Sequence, residues 1–170
     1  MVLSVERLDY SKGIMQKLKA IDCFLEKREN KNNIVFIFIN IPSREQVPEY
    51  HQLRQEIESF VGRLNGKYAT VKNTPVHFIY QSLEFTELCA LYNIADIAMV
   101  TPLIDGMNLV AKEYVACKPD YKGVLLLSEF AGAANELFQA FIINPYDIES
   151  MVQTLEAAMT LEADDMKRRM

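Results

Sequence analysis

Apolar positions along the 170-residue chain switch repeatedly between two spacings, and the switches divide it into alternating strands and helices. Val2 to Leu8 reads as a short strand. After Lys12 and Gly13, the apolar positions Ile14, Leu18, Ile21 and Leu25 recur at helical spacing, so they share one face of a helix. Ile34 to Ile41 is an almost unbroken β-branched and aromatic run, the pattern of a strand covered on both faces. Pro42 to Glu45 breaks it, and Ser43 is placed to cap a long helix running to about Leu64. Tyr50, Leu53, Ile57, Phe60, Val61 and Leu64 form the apolar positions of that helix, and Asn65-Gly66 is its expected end. The same alternation predicts a strand at Val76 to Tyr80, a helix from about Glu84 to Asn93, and a strand at Ile97 to Thr101 closed by Pro102. A helix from Leu109 to before Pro119, a strand at Val124 to Leu127 and a short helix near Ala131 to Leu137 follow. Strand Phe141 to Ile143 and a helix from Ile148 to Met159 complete the pattern.

Strands alternating with helices predict an α/β fold: a doubly wound, mostly parallel six-stranded sheet with helices on both faces. Residues 1–160 are expected to form this Rossmann-like domain, and residues 161–170 a charged tail that frays or packs elsewhere. The length suits one domain with a sizeable core.

Composition narrows the chemistry. Eighteen Lys and Arg against 23 Asp and Glu give a net charge of −5, which excludes a general basic field for nucleic acid. A phosphate ligand would need cations gathered locally. No apolar run is long enough to span a bilayer and the first residues lack a signal-peptide pattern, so a soluble, cytoplasmic protein is expected. Cys23, Cys89 and Cys117 lie far apart among apolar neighbours and are expected to be buried reduced thiols. His51 and His77 have no Cys partner at ligand spacing, so no metal is expected, and Met107 reads as core or gap filling.

In a doubly wound sheet, ligands sit where strands end and helices begin. Four such junctions carry chemistry-bearing residues. At Arg7 to Gly13, Arg7 offers a planar fork and Lys12 a point charge, a pair suited to a diphosphate, although cations after a strand are also commonly solvated. Asp9 is a local ion-pair partner for either cation. Pro42-Ser43-Arg44 forms the second junction. At Asp105 to Val110, Gly106 allows close backbone approach and Asn108 suits a helix N-cap, leaving free amides for an anion. Glu113, one turn into the helix, could accept from a ribose diol. An ordinary Asp-Gly turn with an Asn cap would look the same. Glu129 to Ala134 is the fourth. Neither a G-x-G-x-x-G fingerprint, a P-loop nor a G-x-S-x-G elbow occurs.

Arg-Leu-Asp-Tyr-Ser-Lys-Gly at Arg7 to Gly13, Pro-Ser-Arg at Pro42 to Arg44 and Gly-Arg-Leu-Asn-Gly-Lys at Gly62 to Lys67 occur in that order. Asp-Gly-Met-Asn-Leu-Val-Ala-Lys-Glu-Tyr at Asp105 to Tyr114 and Ser-Glu-Phe-Ala-Gly-Ala-Ala at Ser128 to Ala134 follow. Together these blocks closely resemble the trehalose-6-phosphate synthase family, retaining glucosyltransferases of family 20 with the two-domain GT-B fold, over about Val2 to Met159. The resemblance implies transfer of glucose from UDP-glucose to glucose 6-phosphate, giving trehalose 6-phosphate and UDP. It implies that Arg7 and Lys12 bind the diphosphate and stabilise charge as UDP leaves. Asp105 would hold donor glucose hydroxyls, with the amides of Gly106, Met107 and Asn108 nearby. Leu109 and Val110 would meet the phosphates through their amides, Glu113 the ribose, Leu83 the uracil, and Arg44 the acceptor phosphate. Arg7, Lys12 and Asp105 would thus be the catalytic set, with no cofactor and no metal. Ile104 departs from members that carry Arg there.

The same resemblance makes the chain the nucleotide-sugar half of a longer enzyme, inactive alone, with an N-terminal acceptor domain outside it and a crossover helix cut near Met170. A non-catalytic regulatory subunit of a trehalose synthesis complex and another GT-B glycosyltransferase stay open as alternatives. So do the donor base, a homo-oligomer or trehalose-synthesis complex of the full-length protein, and a fused phosphatase.

Overall fold

The computed structural model describes residues 1–27 and 34–170. Its strands are β1 (Val2–Arg7), β2 (Phe36–Ile41), β3 (Val76–Ile79), β4 (Ile97–Val100), β5 (Val124–Ser128) and β6 (Phe141–Ile143). The helices are α1 (Ile14–Lys27), α2 (Pro48–Tyr68), α3 (Phe85–Ile94), α4 (Leu109–Ala116), α5 (Ile148–Met159) and α6 (Ala163–Arg169). The strands form one six-stranded sheet in the order β3-β2-β1-β4-β5-β6. Every strand pair is parallel, so the expected doubly wound α/β fold is present.

The order reverses between β1 and β4, where helices leave to opposite faces and a crevice opens at the carboxyl ends. Here the sheet is also thinnest in hydrogen bonds. β1 pairs with β2 along its whole length, from Val2 opposite Phe36 to Arg7 opposite Ile41. With β4 it pairs only at Val2–Ile97 and Leu3–Ala98. Beyond that point a side chain takes over, with Ser4 Oγ 3.1 Å from the Met99 carbonyl.

Burial on both faces explains the unbroken apolar strands. One layer packs Val2, Phe36, Phe38, Met99 and Leu126 against Leu18, Ile21 and Phe24 of α1, Ile57 of α2 and Leu155 of α5. The other packs Leu3, Val5, Ile39, Val100, Leu125 and Leu127 against Tyr92 of α3 and Ala111 and Tyr114 of α4. A polar cluster interrupts the first layer. Lys17 is fully buried, its Nζ 2.5 Å from Glu6 Oε2 and 2.8 Å from Ser4 Oγ, and Asn40 Nδ2 lies 3.4 Å from Glu6 Oε1. Burial lowers the Lys17 ammonium, while the charge and hydrogen bond of Glu6 oppose that shift.

Several expectations are corrected. Ser43 caps no helix: residues 42–47 form a turn in which Arg44 takes the left-handed conformation (φ 49°), and α2 starts later, behind Val47 with Pro48 in its first turn. The helix continues through Asn65-Gly66 to Tyr68, because Asn65 faces β3, accepting from the Val76 amide (3.1 Å) and donating to its carbonyl (2.9 Å). The short helix expected at 131–137 is a 3-10 turn, Gly132–Asn135. Instead of fraying, the tail forms α6, with Asp164 and Asp165 in its first turn and Lys167, Arg168 and Arg169 in its last, as the helix dipole favours. Met166 packs on the first apolar layer and Arg169 Nη1 donates to the Gln139 carbonyl at 3.1 Å. The three cysteines are free but only half-buried, and Met107 is exposed, not core. Among the described residues no helix is long and apolar enough to cross a membrane.

Candidate active site

The turn after β1 is built by Asp9. Its Oδ1 accepts from the Ser11 amide (2.9 Å) and hydroxyl (2.7 Å), capping a 3-10 turn at Tyr10–Lys12. Gly13 closes the turn at φ 67°, a conformation that suits glycine, and a Cβ there would lie 2.5 Å from the Thr101 carbonyl. The turn therefore presses directly on the end of β4, and Leu103 N donates to Ser11 O at 2.7 Å. This places Lys12 Nζ 2.6 Å from Asp105 Oδ2, across the crevice. Asp9 was expected to pair with Arg7 or Lys12. It is instead committed to the turn, and Arg7 stands exposed with no ion pair or hydrogen bond of its side chain among the described residues.

On the β4 side, Asp105 organises its own loop, accepting from the Met107 amide (3.3 Å) and the Asn108 side-chain amide (3.1 Å). Burial tends to raise its carboxyl, but the Lys12 bond, the Met107 amide, the Lys12 charge and the Asn108 bond together hold it below the usual carboxylate range. Asn108 is the N-cap of α4 as expected, its Oδ1 accepting from the Ala111 amide at 3.2 Å. A side-chain cap takes up that amide, while those of Leu109 and Val110, earlier in the first turn, have no helical carbonyl to bond. Leu109 itself is exposed.

Gly106 is not constrained by its protein neighbours. It is exposed, its φ is not positive and a Cβ would meet nothing within 4 Å, so the fold itself does not demand glycine there. The demanding glycine is Gly132, in the fourth junction. Its amide donates to Asp105 O at 2.9 Å, Ala133 N donates to Met107 O at 2.7 Å, and a Cβ on Gly132 would lie 2.1 Å from Gly106 O. Junction four is thus the floor of junction three. Gly132→Ala is expected to push the 105–108 loop out of place and cost about 1–3 kcal/mol. A melting curve should show the lost stability.

Glu113 is half-buried on α4 and accepts from the Tyr92 hydroxyl at 3.1 Å. Burial, then the Glu113 charge and bond, push the Tyr92 phenol far up, so it remains a donor. Leu83, in the β3–α3 loop, is half-buried against the same apolar layer as Tyr92.

Arg44 lies at the end of β2, beside the β1 turn. Its Nη1 donates to Tyr50 Oη at 3.0 Å, and Tyr50 Oη donates to Asp9 Oδ2 at 3.0 Å. Burial tends to raise the Asp9 carboxyl, but bonds from Ser11 and Tyr50 and the Lys12 charge hold it low. Tyr10 packs edge-on against Tyr50, and its hydroxyl donates to Glu49 O.

Lys12 and Asp105 thus meet across the β1–β4 crevice, with Arg7 at the end of β1 and Gly106 to Val110 leading into α4; Arg44 adjoins the β1 turn through Tyr50, Glu113 on α4 lies against Tyr92, and Leu83 lies in the β3–α3 loop. Sequence reasoning missed Tyr50, Tyr92 and Gly132. The two tyrosines had a legible signal, since a tyrosine on a buried helical face needs a partner for its hydroxyl. Chemically, two cations and a helix N-terminus at one mouth can hold a diphosphate and stabilise negative charge that develops on it.

The sequence profile of Glycosyltransferase family 20 matches residues 1–170. Trehalose-6-phosphate synthase of Mycobacterium avium is 48% identical over 170 residues, covering 99% of this chain and 35% of that protein. The Candida albicans alpha,alpha-trehalose-phosphate synthase (UDP-forming) is 46% identical over 161 residues, covering 94% of this chain and 34% of that protein. Among solved structures, the Burkholderia xenovorans alpha,alpha-trehalose-phosphate synthase in complex with glucose-6-phosphate aligns with a TM-score of 0.96 at 41% identity, over 99% of this chain and 37% of that one. A structure described as trehalose-6-phosphate from E. coli bound with UDP-2-fluoro glucose aligns with a TM-score of 0.95 at 42% identity, over 99% and 38%. The chain spans about a third of the length of the curated relatives it matches, 35% for the first.

Proposed function

Because the chain belongs to glycosyltransferase family 20, we propose that it is the donor-binding half of an enzyme that transfers glucose from UDP-glucose to glucose 6-phosphate. The products are trehalose 6-phosphate, formed with retention, and UDP. The observation that carries this reading is the 2.6 Å pairing of Lys12 with Asp105 across the crevice, with Arg7, unpartnered among the described residues, at the end of the preceding strand and the α4 N-terminus opposite. Arg7 and Lys12 bind the diphosphate and stabilise its charge as the glycosidic bond breaks. The amides of Leu109 and Val110 complete the anion seat, Glu113 accepts from the ribose, and Leu83 borders the base. Asp105, with the amides of Gly106 to Asn108 beside it, orients the donor sugar.

Asp105 is already committed to Lys12, Met107 and Asn108, which suits a carboxylate that orients hydroxyls better than one that attacks carbon. The acceptor hydroxyl then approaches on the face from which UDP departs and passes its proton to the leaving phosphate. In this reading the required positive charge comes from Arg7 and Lys12, without a resident metal. Arg44 meets the acceptor phosphate, and a separate acceptor domain supplies the rest of that pocket. The half-buried free thiols fit a reducing compartment, and we place the protein in the cytoplasm.

Calorimetric titration of this chain with UDP is expected to show binding, and a coupled UDP-release assay with both substrates is expected to show no turnover. Absence of UDP binding would refute the donor-site assignment. Trehalose 6-phosphate made by the chain alone would refute the need for a second domain.

A further inference from the structure

We propose that Tyr50 is a positioning residue that ties the acceptor-side Arg44 to the donor-side turn. The inference rests on the reading of Arg44 as the acceptor-phosphate residue. Tyr50 lies at the start of α2 with its ring packed in the protein, and its hydroxyl is engaged by protein groups. It finds two, one on each side of the site. It accepts from Arg44 Nη1 at 3.0 Å and donates to Asp9 Oδ2 at 3.0 Å, using both capacities of a phenol at once.

From Asp9 the connection runs on without a gap. Asp9 Oδ1 holds Ser11, Lys12 closes the same turn, and Lys12 grips Asp105 at 2.6 Å. One hydroxyl thus joins the arginine at the end of β2 to the carboxylate at the end of β4. Arg44 needs such support. Its backbone is left-handed without being glycine, an arrangement that costs energy and persists where the surroundings enforce it. The guanidinium also leans over the Tyr50 ring, 5.4 Å from its centroid. With Nη1 fixed on Tyr50, the remaining N–H groups of the fork are left for a phosphate. Tyr10, packed at right angles on Tyr50, keeps the ring itself in place.

The test uses the full-length protein and the variants Arg44→Ala, Tyr50→Phe and their combination, each with KM for both substrates and a melting curve. Tyr50→Phe keeps the ring and its packing and removes only the hydroxyl. It is expected to raise KM for glucose 6-phosphate roughly 5- to 10-fold, the scale of one lost hydrogen bond to a charged group. Through Asp9 it should raise KM for UDP-glucose by a smaller factor, about 2-fold. In the Arg44→Ala background the acceptor effect should vanish while the smaller donor effect remains. A purely structural tyrosine would instead lower stability and shift both constants equally in both backgrounds, and that outcome overturns the proposal. So does a normal acceptor KM in Tyr50→Phe when Arg44→Ala is strongly impaired. If Arg44→Ala itself leaves the acceptor KM unchanged, the assignment of Arg44 fails, and the acceptor role of Tyr50 with it.

Discussion

Replacing Lys12 with Ala in the full-length protein is expected to lower kcat about 100- to 1,000-fold, the scale of losing one donor that stabilises developing charge. Lys12 is the group for which the effect should be largest, because it is placed by three independent constraints. Gly13 forces the turn against β4, the Ser11 carbonyl is clamped by the Leu103 amide, and Asp105 fixes the ammonium at 2.6 Å. A cation held in advance need not reorganise as the phosphate acquires charge, which is where the catalytic advantage lies. Steady-state kinetics with both substrates decide the point: a fall of less than about 3-fold would remove Lys12 from the reacting centre.

The pairing also has a pH consequence. Because Asp105 is held below the usual carboxylate range, its contribution to stability is complete above the unfolded-state value, about pH 4, and is lost as pH falls through the lower folded value. The Lys12–Asp105 pair therefore persists throughout the neutral range.

The second large effect is on stability. Lys17→Ala should destabilise the domain by about 3–5 kcal/mol, because it leaves the Glu6 carboxylate buried without its cation. Glu6 is 8% exposed and Lys17 fully enclosed, so water cannot take the place of the missing partner. For a chain of this size the loss corresponds to a fall in Tm of roughly 10 °C or more. Replacing both partners together, as Lys17→Met with Glu6→Leu, should cost much less, since no charge is stranded. Denaturant melts of the single and double variants separate the two cases, and equal losses would argue against a stranded charge.

The strands were legible because a sheet covered on both faces leaves contiguous apolar runs, as at Phe36–Ile41. The start of α2 was not. Pro-Ser looks like a cap, but the turn that follows is set by Arg44 meeting Tyr50, a tertiary contact that no local pattern encodes. Nor was α6 legible, since Ala163–Arg169 has little apolar periodicity and is held from outside, through Met166 and the Gln139 carbonyl.

The site shows the same division. Junctions at strand ends could be named from sequence because topology sends ligands there. The partner of Lys12 could not, because Asp105 is 93 residues away and Asp9 was the nearer carboxylate. Tyr50 was legible as an inward-facing residue and opaque as a hydrogen-bond bridge, since ring and hydroxyl serve different neighbours. Lys17 gave no such sign, because the apolar positions of α1 recur at Ile14, Leu18, Ile21 and Leu25 without it, and only the fold shows it enclosed with Glu6.

The short ladder between β1 and β4 divides the sheet into two half-sheets joined by a narrow seam. Past Leu3 and Ala98 the seam is sewn by Ser4 to Met99, Leu103 to Ser11 and Lys12 to Asp105. In the proposed function, cohesion and chemistry are therefore vested in the same atoms. There, a diphosphate meeting Lys12 in place would add a further stitch by spanning the seam to the start of α4. Selection for a firmer seam would close the crevice with further strand pairing and exclude the ligand. The weak join is thus the condition for having a binding site in the middle of a sheet.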